Sequence, residues 1–169
     1  MESLKTRISV TGGHEFVFPV GAQSTSSFEA MFSKLFRRSN ALPARPSEAA
    51  PAQGVDATIE PRVEGISIEG PLAMGWSGVW SVELRCLFLF SDNAGHEISN
   101  WHVEANGQSA AGVDWTGFAG SDHANEAFAN AFLDLERRFL DGFARVPEIR
   151  AWLSAKGISA SWSPASSRA

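Results

Sequence analysis

One cysteine, Cys86, occurs in 169 residues. No disulfide can form within the chain, so bridges say nothing about its redox compartment. Tyrosine is absent, against twelve phenylalanines and six tryptophans; nearly all the aromatic mass can therefore be buried without a hydroxyl to satisfy. No run of about 18 apolar residues occurs, so no transmembrane helix is expected. Positive charge is also short, with 14 Lys and Arg against 19 Asp and Glu and a net charge of −5. That argues against a general nucleic-acid binder, which needs a basic face to displace phosphate counterions, although Arg37–Arg38 and Arg137–Arg138 leave room for a local basic patch. It also speaks against docking on anionic lipid through a polybasic patch. The opening stretch, "MESLKTRISVTGGHEF", lacks the apolar run of a secretory leader. The chain as it stands is expected in the cytoplasm. As the mature part of a longer precursor it is expected in the periplasm, held to a membrane only through a lipid anchor absent from this chain.

What is present suits one folded unit. An apolar fraction of 44% and a charged fraction of 20% are ordinary for a globular chain, and a chain of this length buries roughly two thirds of its unfolded surface. Residues 1–14 read as a flexible amino terminus, 15–157 as a single α+β domain, and 158–169 as a loose tail. "HEFVFPVGA" reads as a short strand ended by Pro19 and Gly21, with Phe16 and Phe18 on one side. "STSSFEAMFSKLFRR" reads as a helix. Ser26 and Glu29 have capping-box spacing, and Phe28, Met31, Phe32, Leu35 and Phe36 form one apolar stripe. The 39–54 stretch, with Pro43, Pro46 and Pro51 among alanines and serines, reads as a mobile loop inside the domain.

A strand follows over "VDATIEPRVEGISIEG", where the apolar phase slips near Gly65 and predicts a β-bulge. Then comes a hairpin. Trp80, Val82, Leu84, Cys86, Phe88 and Phe90 alternate onto one face, and "SDNAG" turns the chain. The return strand puts Trp101, Val103 and Ala105 on the core side, with Asn100, His102 and Glu104 opposite. Leu87 and Leu89 make the outgoing strand apolar on both faces, so something should cover the second face there. A second long helix runs through "SDHANEAFANAFLDLERRFLDGFA", with Ser121 or Asp122 as its cap and Phe128, Ala131, Leu135 and Phe139 as its stripe. Asp134–Arg138 and Arg137–Asp141 stand at ion-pair spacing on its exposed faces. A short third helix opens at Pro147 and ends before Gly157. Grouped strands followed by grouped helices predict an α+β fold: an antiparallel sheet of about four strands, with two long helices and one short helix packed on it.

Chemistry-bearing motifs are few. Cys86 lies mid-strand among apolar neighbours and reads as core. His96, His102 and Glu104 share strand parity and are the candidate metal ligands, although their spacing is loose and a solvated polar face is the simpler reading. "GWSG" at 75–78 is one residue short of a nucleophile elbow. The glycines before the second helix have no phosphate-loop lysine. No catalytic residue and no cofactor is expected on these grounds. Trp76 and Trp115, in loop-like contexts, join Phe16 and Phe18 as candidate partner contacts.

Across residues 15–153 the chain resembles small hypothetical lipoproteins of Gram-negative bacteria. The resemblance is carried by "FPVG", the strand around Pro61, and the hairpin turning at Asp92 and Gly95 and returning through Trp101, Val103 and Gly107. It continues through the alanine-rich helix and closes on "PEIRAWL", with Pro147, Trp152 and Leu153. More distantly it is similar to auxiliary lipoproteins of envelope transport and lipopolysaccharide assembly. Such a resemblance implies a non-enzymatic cell-envelope domain that binds a protein partner or a lipid-like ligand. The alternative, from the residues themselves, is a cytosolic small-molecule-binding or metal-assisted hydrolytic domain using the His96, His102 and Glu104 face.

Overall fold

The computed structural model describes residues 6–10, 14–18, 20–36, 38–42, 45–70, 77–113, 120–143 and 145–157. Its architecture is α+β. Three strands, β3 (Ala57–Glu69), β5 (Ser81–Asp92) and β6 (Glu97–Gln108), form an antiparallel sheet in the order β3-β5-β6. Two smaller antiparallel pairs accompany it: β1 (Thr6–Val10) with β2 (His14–Phe18), and β4 (Ser77–Gly78) with β7 (Gly112–Val113). The helices are α1 (Val20–Leu35), α2 (Gly120–Phe143) and α3 (Pro147–Ala155).

The sequence led to about four strands in one sheet; among the described residues the main sheet has three. The strand at 14–18 forms, but its partner is Thr6–Val10, within the stretch read as a flexible start. Pairing strands that are adjacent in sequence closes a short loop at little entropic cost, which favours this local hairpin over joining a distant sheet. Helix α1 also starts earlier than the capping pattern implied. Its first residue is Val20, so Ser26 stands inside the helix and not at its cap. Similarly α2 begins at Gly120, which places Ser121 and Asp122 in its first turn.

The central strand is where alternation translates most directly into burial. Val82, Leu84, Cys86, Phe88 and Phe90 are all at most 3% exposed. Opposite them in register stand Ile68, Ile66, Val63, Pro61 and Ile59 of β3, and Gly107, Ala105, Val103, Trp101 and Ser99 of β6. The bulge falls between Val63 and Gly65. It restores the apolar phase of β3 to the core face after the odd-to-even slip in the sequence. Pro61 has no amide to offer a ladder, and β3 is an edge strand, where that loss is tolerated.

The helices seat on this face in two ways. Helix α2 presents Ala124, Ala127 and Ala131, all fully buried, beside β6. At the contact stands Gly107: a β-carbon there would lie 2.1 Å from both the Ala127 carbonyl oxygen and the Ala131 amide nitrogen. Only a residue without a side chain lets strand and helix backbones meet this closely. Helix α1 instead reaches the core through large rings. Phe28 meets Phe88 and Phe132 edge-on at 6.0 and 5.7 Å, and Phe32 meets Phe139 at 5.8 Å. Phe88, Phe139, Phe143 and Trp101 form the centre of this cluster, with Trp101 stacked on Phe88 at 5.4 Å. Burying each such ring is worth about 1.5–3 kcal/mol. A Lys34–Glu136 ion pair at 3.0 Å ties α1 to α2 at the surface.

Helix α2 also closes the edge of the sheet. Asp134 Oδ2 accepts the Asn106 amide at 3.0 Å, Asn130 Nδ2 donates to the Gln108 carbonyl at 2.7 Å, and Glu126 Oε2 accepts the Ala110 amide at 3.2 Å. Four helical residues advance about 6 Å and two strand residues about 6.7 Å, so the two repeats stay nearly in step. Side chains four apart on the helix thus meet backbone groups two apart on the strand. Part of the open ladder edge that invites foreign strands is occupied in this way. Asp134 also takes its expected partner, Arg138, at 2.7 Å.

Candidate functional site

The hairpin turn is built by Asp92. Its Oδ1 accepts the amides of Ala94 and His96, each at 2.9 Å, and the Gly95 amide returns to the Asp92 carbonyl at 3.1 Å. Gly95 has φ +87, a left-handed conformation that a side chain would strain. The register slips between Phe90 and Ser91, where Ser99 pairs with Phe90 but Glu97 pairs with Ser91. That slip turns His96 off the parity of the return strand. Its ring now lies between two carboxylates: Nδ1 is 3.0 Å from Asp92 Oδ2, and Nε2 is 2.7 Å from Glu48 Oε1.

Glu48 arrives from the 39–54 stretch. Ser47 and Ala50 exchange backbone hydrogen bonds across a tight turn that presents it. The Ala52 amide donates to the Asn93 carbonyl at 2.8 Å. Pro46 is buried, and its carbonyl sits where a β-carbon on Gly95 would have to go, 2.3 Å away. Arg45 approaches Glu60 of β3 at 3.9 Å. Residues 45–52 of the stretch expected to be mobile are therefore docked on the hairpin turn. They dock at the end of the sheet where Leu89, on the face away from the helices, is only 8% exposed.

The electrostatics follow the contacts. Hydrogen bonds to Glu48 and then Asp92 raise the His96 pKa, while the bond to His96 lowers that of Asp92. On β3 the Arg62 guanidinium bonds Glu60 at 2.7 Å, which raises its pKa further.

The rest of the outer face is mostly polar, with several charged side chains. Register places Glu60, Arg62, Ser67 and Glu69 of β3, Glu83, Arg85 and Leu87 of β5, and Asn100, His102, Glu104 and Asn106 of β6 on the same side. His102 Nε2 reaches Glu64, the bulge residue of β3, at 3.2 Å, and so spans the sheet over the central strand. Glu104 pairs in register with Arg85.

The three candidate metal ligands are not brought together. His96 is engaged at the turn, His102 at Glu64, and Glu104 stands opposite Arg85. Among the described residues no group of three His, Cys, Asp or Glu side chains could hold a metal ion. His96 loses the strand parity of His102 and Glu104 because the register shifts between the Phe90–Ser99 and Ser91–Glu97 pairs. Cys86 is fully buried, and burial pushes its thiol up to about 12, with the Glu64 charge adding to the effect. A buried thiol held this high is protonated at neutral pH, which disfavours its acting as a nucleophile. Phe16 and Phe18 lie on β2, of which only the backbone is described, and Trp76 and Trp115 lie outside the described residues, as does the 158–169 tail.

Nothing in the sequence singles out Glu48, Glu60, Glu64 or Arg45. The Asp92–His96 spacing is visible in the sequence, but Glu48 is 48 residues from its partner, and no local signal joins them. Among the described residues no helix is long and apolar enough to cross a membrane. Comparison with known protein families and with characterised proteins finds no match for this chain.

Proposed function

We propose that this chain is a binding domain that engages a protein partner through the outer face of its sheet. The single observation that carries the reading is the asymmetry of that sheet. One face is sealed by α1 and α2. The other carries Glu60, Glu64, Glu69, Glu83 and Glu104 against Arg62 and Arg85, and among the described residues the 45–52 segment docks at one end of it. A fixed array of acidic side chains on a rigid sheet selects a partner with a basic surface, and steers it. The resemblance to small envelope lipoproteins supports placing this binding in the bacterial cell envelope, with no reaction catalysed by the domain.

Two experiments test the proposal. In the first, the chain is crosslinked in its own cells, alongside a Glu83→Lys/Glu104→Lys variant. Crosslinks to a defined protein that map to the outer face and fall at least tenfold in the variant are the expected result. Crosslinks that map to the helical side, or that persist unchanged in a folded variant, overturn it. In the second, the native protein is fractionated and its amino terminus determined by mass spectrometry. A lipidated cysteine upstream of Met1 is the expected result for the envelope assignment, and an unmodified Met1 in the cytosolic fraction overturns that part.

A further inference from the structure

The His96 contacts demand a particular protonation state. A neutral imidazole has one N–H donor and one lone pair. Here both ring nitrogens face carboxylates, Asp92 at 3.0 Å and Glu48 at 2.7 Å. If the ring is neutral, one nitrogen turns a lone pair toward an anionic oxygen, and that contact is repulsive. If it is an imidazolium, both contacts are charge-assisted hydrogen bonds. We infer that His96 is a pH-controlled clamp, whose protonation holds the 45–52 segment on the hairpin turn and whose deprotonation releases it. This device goes beyond the binding role proposed above and does not rest on it.

Among the described residues the segment's other ties to the sheet are the Ala52 amide to the Asn93 carbonyl, the Pro46 contact at Gly95, and Arg45 toward Glu60 at the long distance of 3.9 Å. The charged groups facing His96 are Asp92 from its own turn and Glu48 from the docked segment; Arg45 of that segment points instead to β3. Asp92 remains bound to the turn amides in either state, so Glu48 is the partner that leaves. The sign follows from linkage. A histidine whose pKa is raised by folding contributes fully below its unfolded value and loses that contribution as pH rises through the raised value. The clamp is therefore closed in mildly acidic solution and opens toward alkaline pH. Opening frees the end of the sheet beside Leu89.

The test is an NMR titration of the full chain, following the His96 ring and the backbone relaxation of Ala49, Ala50 and Ala52. In the parent chain His96 is expected to titrate above the ordinary histidine range, and the segment to pass from ordered to mobile with the same midpoint. Glu48→Gln is expected to shift the His96 midpoint down and to leave the segment mobile at acidic pH. His96→Gln is expected to abolish the pH dependence. All these side chains are exposed, and unchanged circular dichroism verifies that the variants fold. A segment equally ordered across the titration, or a transition that survives in His96→Gln, overturns the clamp.

Discussion

Replacing Gly107 with alanine sets a methyl group against the backbone of α2. The added carbon would stand 2.1 Å from the Ala127 carbonyl oxygen and the Ala131 amide nitrogen, and 2.7 Å from the Ala131 α-carbon. These are main-chain atoms, so no rotamer change relieves the overlap. Helix and strand must separate by more than about 1 Å to restore ordinary contact, which slackens packing along Ala124, Ala127 and Ala131 and stretches the three hydrogen bonds that close the β6 edge. Overpacking costs about 1–3 kcal/mol in general, and a backbone overlap belongs at the upper end. Against it stands the gain of about 0.5–1 kcal/mol from removing a strand glycine. The net expectation is a loss of about 2–2.5 kcal/mol, or a fall of roughly 4–10 °C in Tm for a chain of this size. Guanidinium and thermal melts followed by circular dichroism measure it. Gly142→Ala is the control: its β-carbon meets nothing closer than Trp101 Nε1 at 4.0 Å, so the variant should match the parent or gain up to about 1 kcal/mol. A Gly107→Ala chain less than about 0.5 kcal/mol below the parent refutes the close seating of α2.

Two further outcomes test the same core. Trp101→Ala should cost about 3 kcal/mol or more in denaturant melts, because the ring packs against Phe88, Phe139 and Phe143; a loss below about 1 kcal/mol would mean the hairpin face is assigned wrongly. With its thiol pushed up to about 12, Cys86 is ionised in only about one molecule in ten thousand at pH 8, and should react with an aromatic disulfide reagent no faster than the protein opens. Stoichiometric labelling of the native chain within the mixing time would contradict that burial.

Period and punctuation in the sequence were enough for the central hairpin. Alternation from Trp80 to Phe90, the turn at Asp92–Gly95, and the return through Trp101, Val103 and Ala105 appear in the structure as read. The phase slip near Gly65 is the observed bulge, and Pro147 opens α3. These features are legible because a pleat or a helical turn constrains residues two to four positions apart, and that is the range a local pattern records. Start positions read less well. The Ser26 capping pattern lost to a helix that begins at Val20, because a capping box is a local preference worth about 1 kcal/mol and yields to the packing of the whole element.

The fold class, the faces of the hairpin, the apolar stripes of α1 and α2, and the burial of Cys86 are all written in local pattern. The remaining features arise from long-range contacts. Tertiary structure put Gly107 under the backbone of α2, placed Glu126, Asn130 and Asp134 on the β6 edge, carried Glu48 across 48 positions to His96, and separated His96 from His102 and Glu104. The physical reason is one of range. Hydrophobic burial is non-directional and selects which residues go inside, whereas hydrogen bonds, ion pairs and close backbone approaches act over a few ångströms and exist only once distant segments have been brought together.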